Sequence, residues 1–197
     1  MCSNLIARFD SGGIRRAISI VKKGGVIVFP TDTVYGLGCD PMNERAIQKL
    51  FEVKKRAGKP IPVLCDGIES AERLVRFIGP ARKLAQKYWP GALTIVLPLK
   101  KALPYAIHQG TRELGVRVPH SLDCVRLIRG CGGFITGTSA NISGAPPART
   151  AQRATEELGE GISLVLDGGT LAGTPSTVVK VNADGIEVLR EGAVAVV

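Results

Sequence analysis

A chain of 197 residues, 45% of them hydrophobic, has enough apolar surface for one α/β domain spanning residues 1–197, and it shows no repeat, linker or low-complexity run. Lys plus Arg number 26 against 17 Asp plus Glu, a formal charge of +9, which fits polyanionic partners such as nucleotides or RNA and equally a plain basic surface. Five scattered cysteines without a C-x-x-C pair argue against a disulfide framework or a zinc cluster and for a reducing cytoplasm; with no apolar targeting core and no run near the roughly 18 apolar residues of a membrane span, no membrane association is expected.

Ser11 is placed to cap a helix that carries Ile14, Ala17, Ile18 and Val21 on one face and stops at Gly24. VIVF at 26–29 reads as a buried strand, ended by Pro30 because proline has no amide donor, so the polar stretch PTDTVYGLG at 30–38 sits at a strand's end. Asn43 caps a second helix with Ile47, Leu50 and Phe51 inward, which runs into the basic connection KKRAGKP and then the strand IPVLC at 61–65. Helical patterns at 70–77 and 81–88 lead to a WPG break, followed by strands at 92–97 and 114–119, a helix at about 121–129 and a strand at 134–136. TSANISGAPPART is a long polar loop whose Thr150 caps the helix TAQRATEEL, and SLVLD, STVVKV and GIEVLR close the chain as strands. The alternation predicts an α/β fold with a twisted mixed sheet flanked by helices.

Generic nucleotide and nucleophile motifs fail on named residues. Beside Gly58-Lys59, Pro60 stands where a P-loop needs a hydroxyl, and Pro41 takes the third glycine position of a dinucleotide fingerprint. Asn141 replaces the closing glycine of a nucleophile elbow around Ser139, and only His108 and His120 could act as a base. These loops suit binding better than nucleophilic catalysis. Lys54 and Arg56 diverge by roughly 200° in a regular helix, but at a fraying end both can turn to one anion. Lys59 adds a third cation, while Ser139 and Asn141 present a hydroxyl and an amide from another strand end. Taken motif by motif, a solvated basic turn and a capping loop explain the same residues.

In order along the chain, PTDTVYGLG, Lys54-Lys55-Arg56 with Lys59-Pro60, GVRVP, TSAN, PSTVV and LREGA resemble the signatures of the YrdC family, the threonylcarbamoyl-AMP synthases, over about residues 14–193. The resemblance implies a concave, positively charged face and the condensation of L-threonine, bicarbonate or CO2 and ATP, with Mg2+, into threonylcarbamoyl-adenylate and pyrophosphate. A partner transferase then carries the threonylcarbamoyl group to tRNA, and direct contact with tRNA or double-stranded RNA is a further expectation. By the same resemblance, Lys54 and Arg56 serve catalysis and, with Lys59, Ser139, Asn141 and Arg190, hold ATP. Thr33, Tyr35, Arg117 and Ser176 hold threonine, Asp32 is either a loop-bracing acceptor, the preferred reading, or a distant magnesium partner, and no residue is assigned to a metal. The spacing from Arg56 to Lys59 is one residue shorter than in many relatives, Leu64 and Pro147 stand where histidine and serine are common, and the chain ends soon after LREGA, as expected of a short form. Two other readings are an RNA-binding module without catalysis and an enzyme making a carbamoyl-adenylate for metallocentre maturation.

Overall fold

The computed structural model describes residues 5–55, 58–182 and 185–196. In chain order the elements are β1 (Ile6–Arg8), α1 (Ser11–Lys22), β2 (Ile27–Pro30), β3 (Tyr35–Gly38), α2 (Glu44–Lys54), β4 (Val63–Cys65), α3 (Ile68–Leu74), α4 (Ala81–Tyr88), β5 (Leu93–Pro98), α5 (Tyr105–His108), β6 (Glu113–Arg117), α6 (Leu122–Gly130), β7 (Phe134–Thr136), β8 (Thr138–Ser139), α7 (Ala151–Leu158), β9 (Leu164–Asp167), β10 (Thr177–Asn182) and β11 (Gly185–Arg190). The α/β alternation expected from the sequence is present. The strands form two mixed sheets, in the orders β1-β9-β2-β3-β8 and β11-β10-β5-β6-β4-β7.

Side-chain caps set the helix starts. Asn43 accepts the Ala46 amide at 3.1 Å and Thr150 the Arg153 amide at 3.2 Å, as their sequence positions predict. At α1 the cap is Asp10 rather than Ser11: its carboxylate accepts the Gly12 and Gly13 amides, both at 2.9 Å, and takes two orphan donors where a serine at the next position is already helical. The last residue of YGLG extends further than a loop would, since the stretch is a full strand, with Phe29 opposite Gly36 and Pro30 opposite Tyr35. Its glycines make room for that. A Cβ at Gly36 would lie 3.2 Å from the Phe29 ring, and one at Gly38 would lie 2.4 Å from the Thr136 carbonyl oxygen.

That second contact marks the joint between the sheets. Thr136, the last residue of β7, donates its amide to Cys39 O at 2.9 Å, and the Cys39 amide returns a bond to Thr136 Oγ1 at 2.8 Å. Gly137 then carries the chain from the six-stranded sheet to β8 of the five-stranded one, and a Cβ there would sit 2.4 Å from Leu64 Cγ. Apolar clusters pack on both sides of the joint: α2 covers it with Ile47 and Leu50, while α1 and α6 bury Ile14, Val21, Leu127 and Ile128 against Phe29 and Ile135.

Candidate functional site

Strand ends from both sheets meet around a cavity of about 190 Å³. Thr31 and Thr33 reach it from the turn after β2, Ser139 from β8, Thr94 and Arg117 from β5 and β6, and Arg190 from β11. Thr31 Oγ1 donates to Val34 O at 2.7 Å and accepts the Thr33 amide at 3.1 Å, which folds PTDT into a tight hydroxyl-braced turn.

Arg117 fixes this turn to the other sheet. Its Nε donates to Gly91 O at 2.9 Å, Nη1 to Thr33 Oγ1 at 3.0 Å and Nη2 to Asp32 Oδ1 at 2.5 Å. Asp32 is therefore the brace expected of it, pairing with the guanidinium. Burial pulls the Arg117 pKa below the usual arginine value and Asp32 opposes the shift, so the group stays cationic. Three of its five N–H groups are used; two face no acceptor among the described residues.

The opposite wall is a second hydroxyl pair, Thr94 Oγ1 and Ser176 Oγ, 2.9 Å apart. Arg190 grips Ser176, donating from Nη2 to its carbonyl at 2.8 Å and from Nε at 3.2 Å, with Oγ at 3.3 Å. Thus Thr33, Arg117, Ser139, Ser176 and Arg190, assigned from distant stretches of sequence, line one cavity.

Other assigned residues sit elsewhere. Lys54 is not a cation at a fraying end: it is only 2% exposed, and its ammonium donates to Ser139 O at 2.5 Å, Asn141 O at 2.8 Å and Asn141 Oδ1 at 3.1 Å. Among the described residues, three acceptors match the three N–H bonds of an ammonium, and they turn it inward. Asn141 completes this arrangement, its Nδ2 donating to Ile142 O at 3.0 Å and Ala145 O at 2.5 Å, so its amide is engaged within its own loop rather than lining the cavity. Tyr35 is fully buried: its hydroxyl donates to Gly169 O at 2.7 Å and accepts the Gly168 amide at 3.1 Å, and burial pushes its pKa up. Lys59 is exposed and off the cavity wall, and Arg56 lies outside the described residues.

Neither histidine lines the cavity; His108 Nδ1 accepts the Gly110 amide at 3.2 Å. Leu64 contributes an apolar wall. Sequence reasoning passed over Thr31 and Thr94. The signal for Thr94 is a hydroxyl inside the apolar run ALTIVL, while Thr31 stands within the quoted PTDT itself. Among the described residues there is no group of three or more His, Cys, Asp or Glu that could hold a metal ion, and no helix long and apolar enough to cross a membrane.

The model of the Sua5, YciO and YrdC family, described as telomere recombination, matches residues 19–192. The chain is 35% identical over 192 residues to the threonylcarbamoyl-AMP synthase of Pyrococcus abyssi, covering 96% of this chain and 56% of that protein. It is 34% identical over 188 residues to a putative threonylcarbamoyl-AMP synthase of Mycobacterium tuberculosis, covering 94% of this chain and 86% of that one. Among solved structures, P. abyssi Sua5 complexed with L-threonine superposes with a TM-score of 0.89 at 34% identity, covering 96% of this chain and 56% of that chain. E. coli YciO superposes at 0.87 with 26% identity, covering 98% of this chain and 96% of that chain. The chain thus spans little more than half the length of the P. abyssi protein.

Proposed function

We propose that this chain, which belongs to the Sua5/YciO/YrdC family, condenses L-threonine, bicarbonate or CO2 and ATP into threonylcarbamoyl-AMP and pyrophosphate. The observation that carries the reading is Arg117, a buried cation whose two remaining N–H groups stand at a cavity edged by the hydroxyls of Thr33 and Ser176. A planar guanidinium suits an amino-acid carboxylate, and hydroxyls on both walls suit a β-hydroxyl. The solved P. abyssi relative with L-threonine and the names of the similar proteins support the same assignment.

In this reading the threonine amine adds to CO2, loses a proton and becomes a carbamate. A carbamate oxygen then bonds to the α-phosphorus of ATP as the bond to pyrophosphate breaks. No covalent enzyme intermediate is needed, so the residues act by holding two anions together and offsetting their repulsion. This reading assigns Arg190 and Ser139, both on the cavity wall, to the nucleotide, and Lys59 and Arg56, which come after α2 in the sequence, to the phosphates. Mg2+ enters this reading with ATP, as MgATP, where it would neutralise phosphate charge. Lys54 and Asn141 contribute by holding the loop that presents Ser139, and Tyr35 by tying β3 to Gly168 and Gly169. The product would pass in the cytoplasm to a transferase that modifies tRNA.

The test is to supply ATP, Mg2+, bicarbonate and L-threonine and resolve products by mass and pyrophosphate release. Release is expected only with threonine and bicarbonate together. ADP or free phosphate would place the attack at another phosphorus and reject the proposal, as would pyrophosphate release that requires carbamoyl phosphate in place of threonine. Tight, salt-sensitive RNA binding without turnover would point to a binding module instead.

A further inference from the structure

We infer that a bulge at Leu189 and the close approach of Gly192 form a positioning device that aims Arg190 into the cavity, and that through the Arg190 bonds to Ser176, the residue assigned to threonine, these two backbone features set threonine affinity.

The register of the β10–β11 pair is regular from Asn182 opposite Gly185 to Val179 opposite Val188 and then slips by one, so that Val178 faces Arg190 and Leu189 has no partner. The slip decides where Arg190 points. Side chains alternate faces along a strand, so an unbroken ladder would set Arg190 opposite Thr177. Thr177 is buried, with Oγ1 donating to Val194 O at 2.5 Å, on the face away from the cavity. The extra residue moves Arg190 opposite Val178 instead, and both line the cavity. Re-aiming a side chain beside a site is what a bulge can do.

The chain after β11 then locks the new direction. Gly192 passes so close to the neck of β10 that a Cβ there would lie 2.5 Å from Pro175 O, Ser176 C and Thr177 N. Ala193 donates its amide to Pro175 O at 2.9 Å, and the Val194 amide reaches Thr177 Oγ1 at 3.2 Å. Residues 192–194 therefore hold the backbone of the same three residues whose middle member, Ser176, receives the Arg190 guanidinium. Neither Leu189 nor Gly192 lines the cavity. Both act through a residue that does.

The inference rests on the cavity being the substrate site, and its test separates the two. Deletion of Leu189 restores an unbroken ladder, Gly192→Ala forces the Pro175–Thr177 backbone aside, and Ile186→Ala alters an exposed β11 side chain as a control. Arg190→Lys keeps the charge but loses the Nε bond to Ser176 without disturbing the backbone. Two readouts are taken: calorimetric affinity for L-threonine, and hydrogen exchange of the Arg190 Nε–H by ¹⁵N NMR. We expect slow Nε–H exchange in the parent, loss of that protection in the deletion and in Gly192→Ala, and at least 10-fold weaker threonine binding in these two and in Arg190→Lys, with Ile186→Ala unchanged. Parent-like affinity in Gly192→Ala or in Arg190→Lys overturns the inference, as does retained protection in Gly192→Ala. Should the deletion not fold, those two variants decide alone. A parent that does not bind threonine would reject the functional reading, while the exchange data would still show whether the bulge and Gly192 aim Arg190.

Discussion

Lys54 and Arg117 are both nearly sealed from solvent, at 2% and 5% exposure, yet one braces a loop and the other lines the cavity. Lys54 spends its ammonium on two carbonyls and an amide oxygen of the Ser139–Asn141 loop. Arg117 divides its guanidinium between a carboxylate, a hydroxyl and a carbonyl and keeps two N–H groups over. The contrast follows from the head groups: an ammonium with three donors is filled by three acceptors, whereas a five-donor fork can be anchored and still receive a ligand. Burial alone therefore does not mark a cation as structural. The number of its donors left over does.

The sharpest way to break this comparison is Lys54→Ala. Three acceptors, two of them buried, would lose their donor, and the chain should lose about 3 kcal/mol or more of stability in urea titration. A loss under about 1 kcal/mol would show that the ammonium is not a brace and would return it to the role of a phosphate ligand. Asn141→Ala tests the other half of the same loop. It removes the Oδ1 acceptor from Lys54 and two donors from Ile142 and Ala145 carbonyls, and should cost about 2 kcal/mol by the same measurement.

Arg117→Lys sharpens the receptor side. A lysine cannot bond Gly91, Thr33 and Asp32 together and still present free donors, so threonine kcat/KM should fall at least 10-fold, about 1.4 kcal/mol. Asp32→Asn should show a smaller loss in the same assay, because the amide still accepts from Arg117 but no longer offers a charge. If Arg117→Lys kept parental activity, the carboxylate assignment would have to move to Arg190. The smallest effect on folding is expected for Lys59→Ala: the residue is exposed, and its substitution should change stability by no more than about 0.5 kcal/mol, while a rise in ATP KM would place it at the phosphates.

Much of the candidate site was legible because its segments resemble, in order, the signatures of a known family; composition alone marked only the polar stretch at 30–38, the basic connection after α2 and the Ser139–Asn141 loop. PTDT, the Arg of GVRVP, the Ser of PSTVV and the Arg of LREG are polar residues next to apolar runs, and the structure brings Thr33, Arg117, Ser176 and Arg190 to one cavity. The direction in which a side chain points was not legible. Lys54 and Asn141 read as ligands because they are polar at the right place in the series, but which way each turns depends on acceptors 85 and 87 residues away from Lys54. Tyr35 shows the same limit: it stands between a polar turn and two glycines, and only the return of β9 and Gly168 beside it turns its hydroxyl inward.

Sequence by itself determined the alternation of helices and strands, the caps at Asn43 and Thr150, and the set of polar segments from which a site could be assembled, because each of these depends on residues within about one turn or one strand. Tertiary structure alone decided that the strands divide between two sheets, that glycines at 38 and 137 let the sheets join, and that a one-residue slip turns Arg190 toward the cavity. Local pattern records which residues are apolar and how they are spaced. Register, close approach and the saturation of buried donors are set between segments far apart in the chain, where no periodicity carries the information.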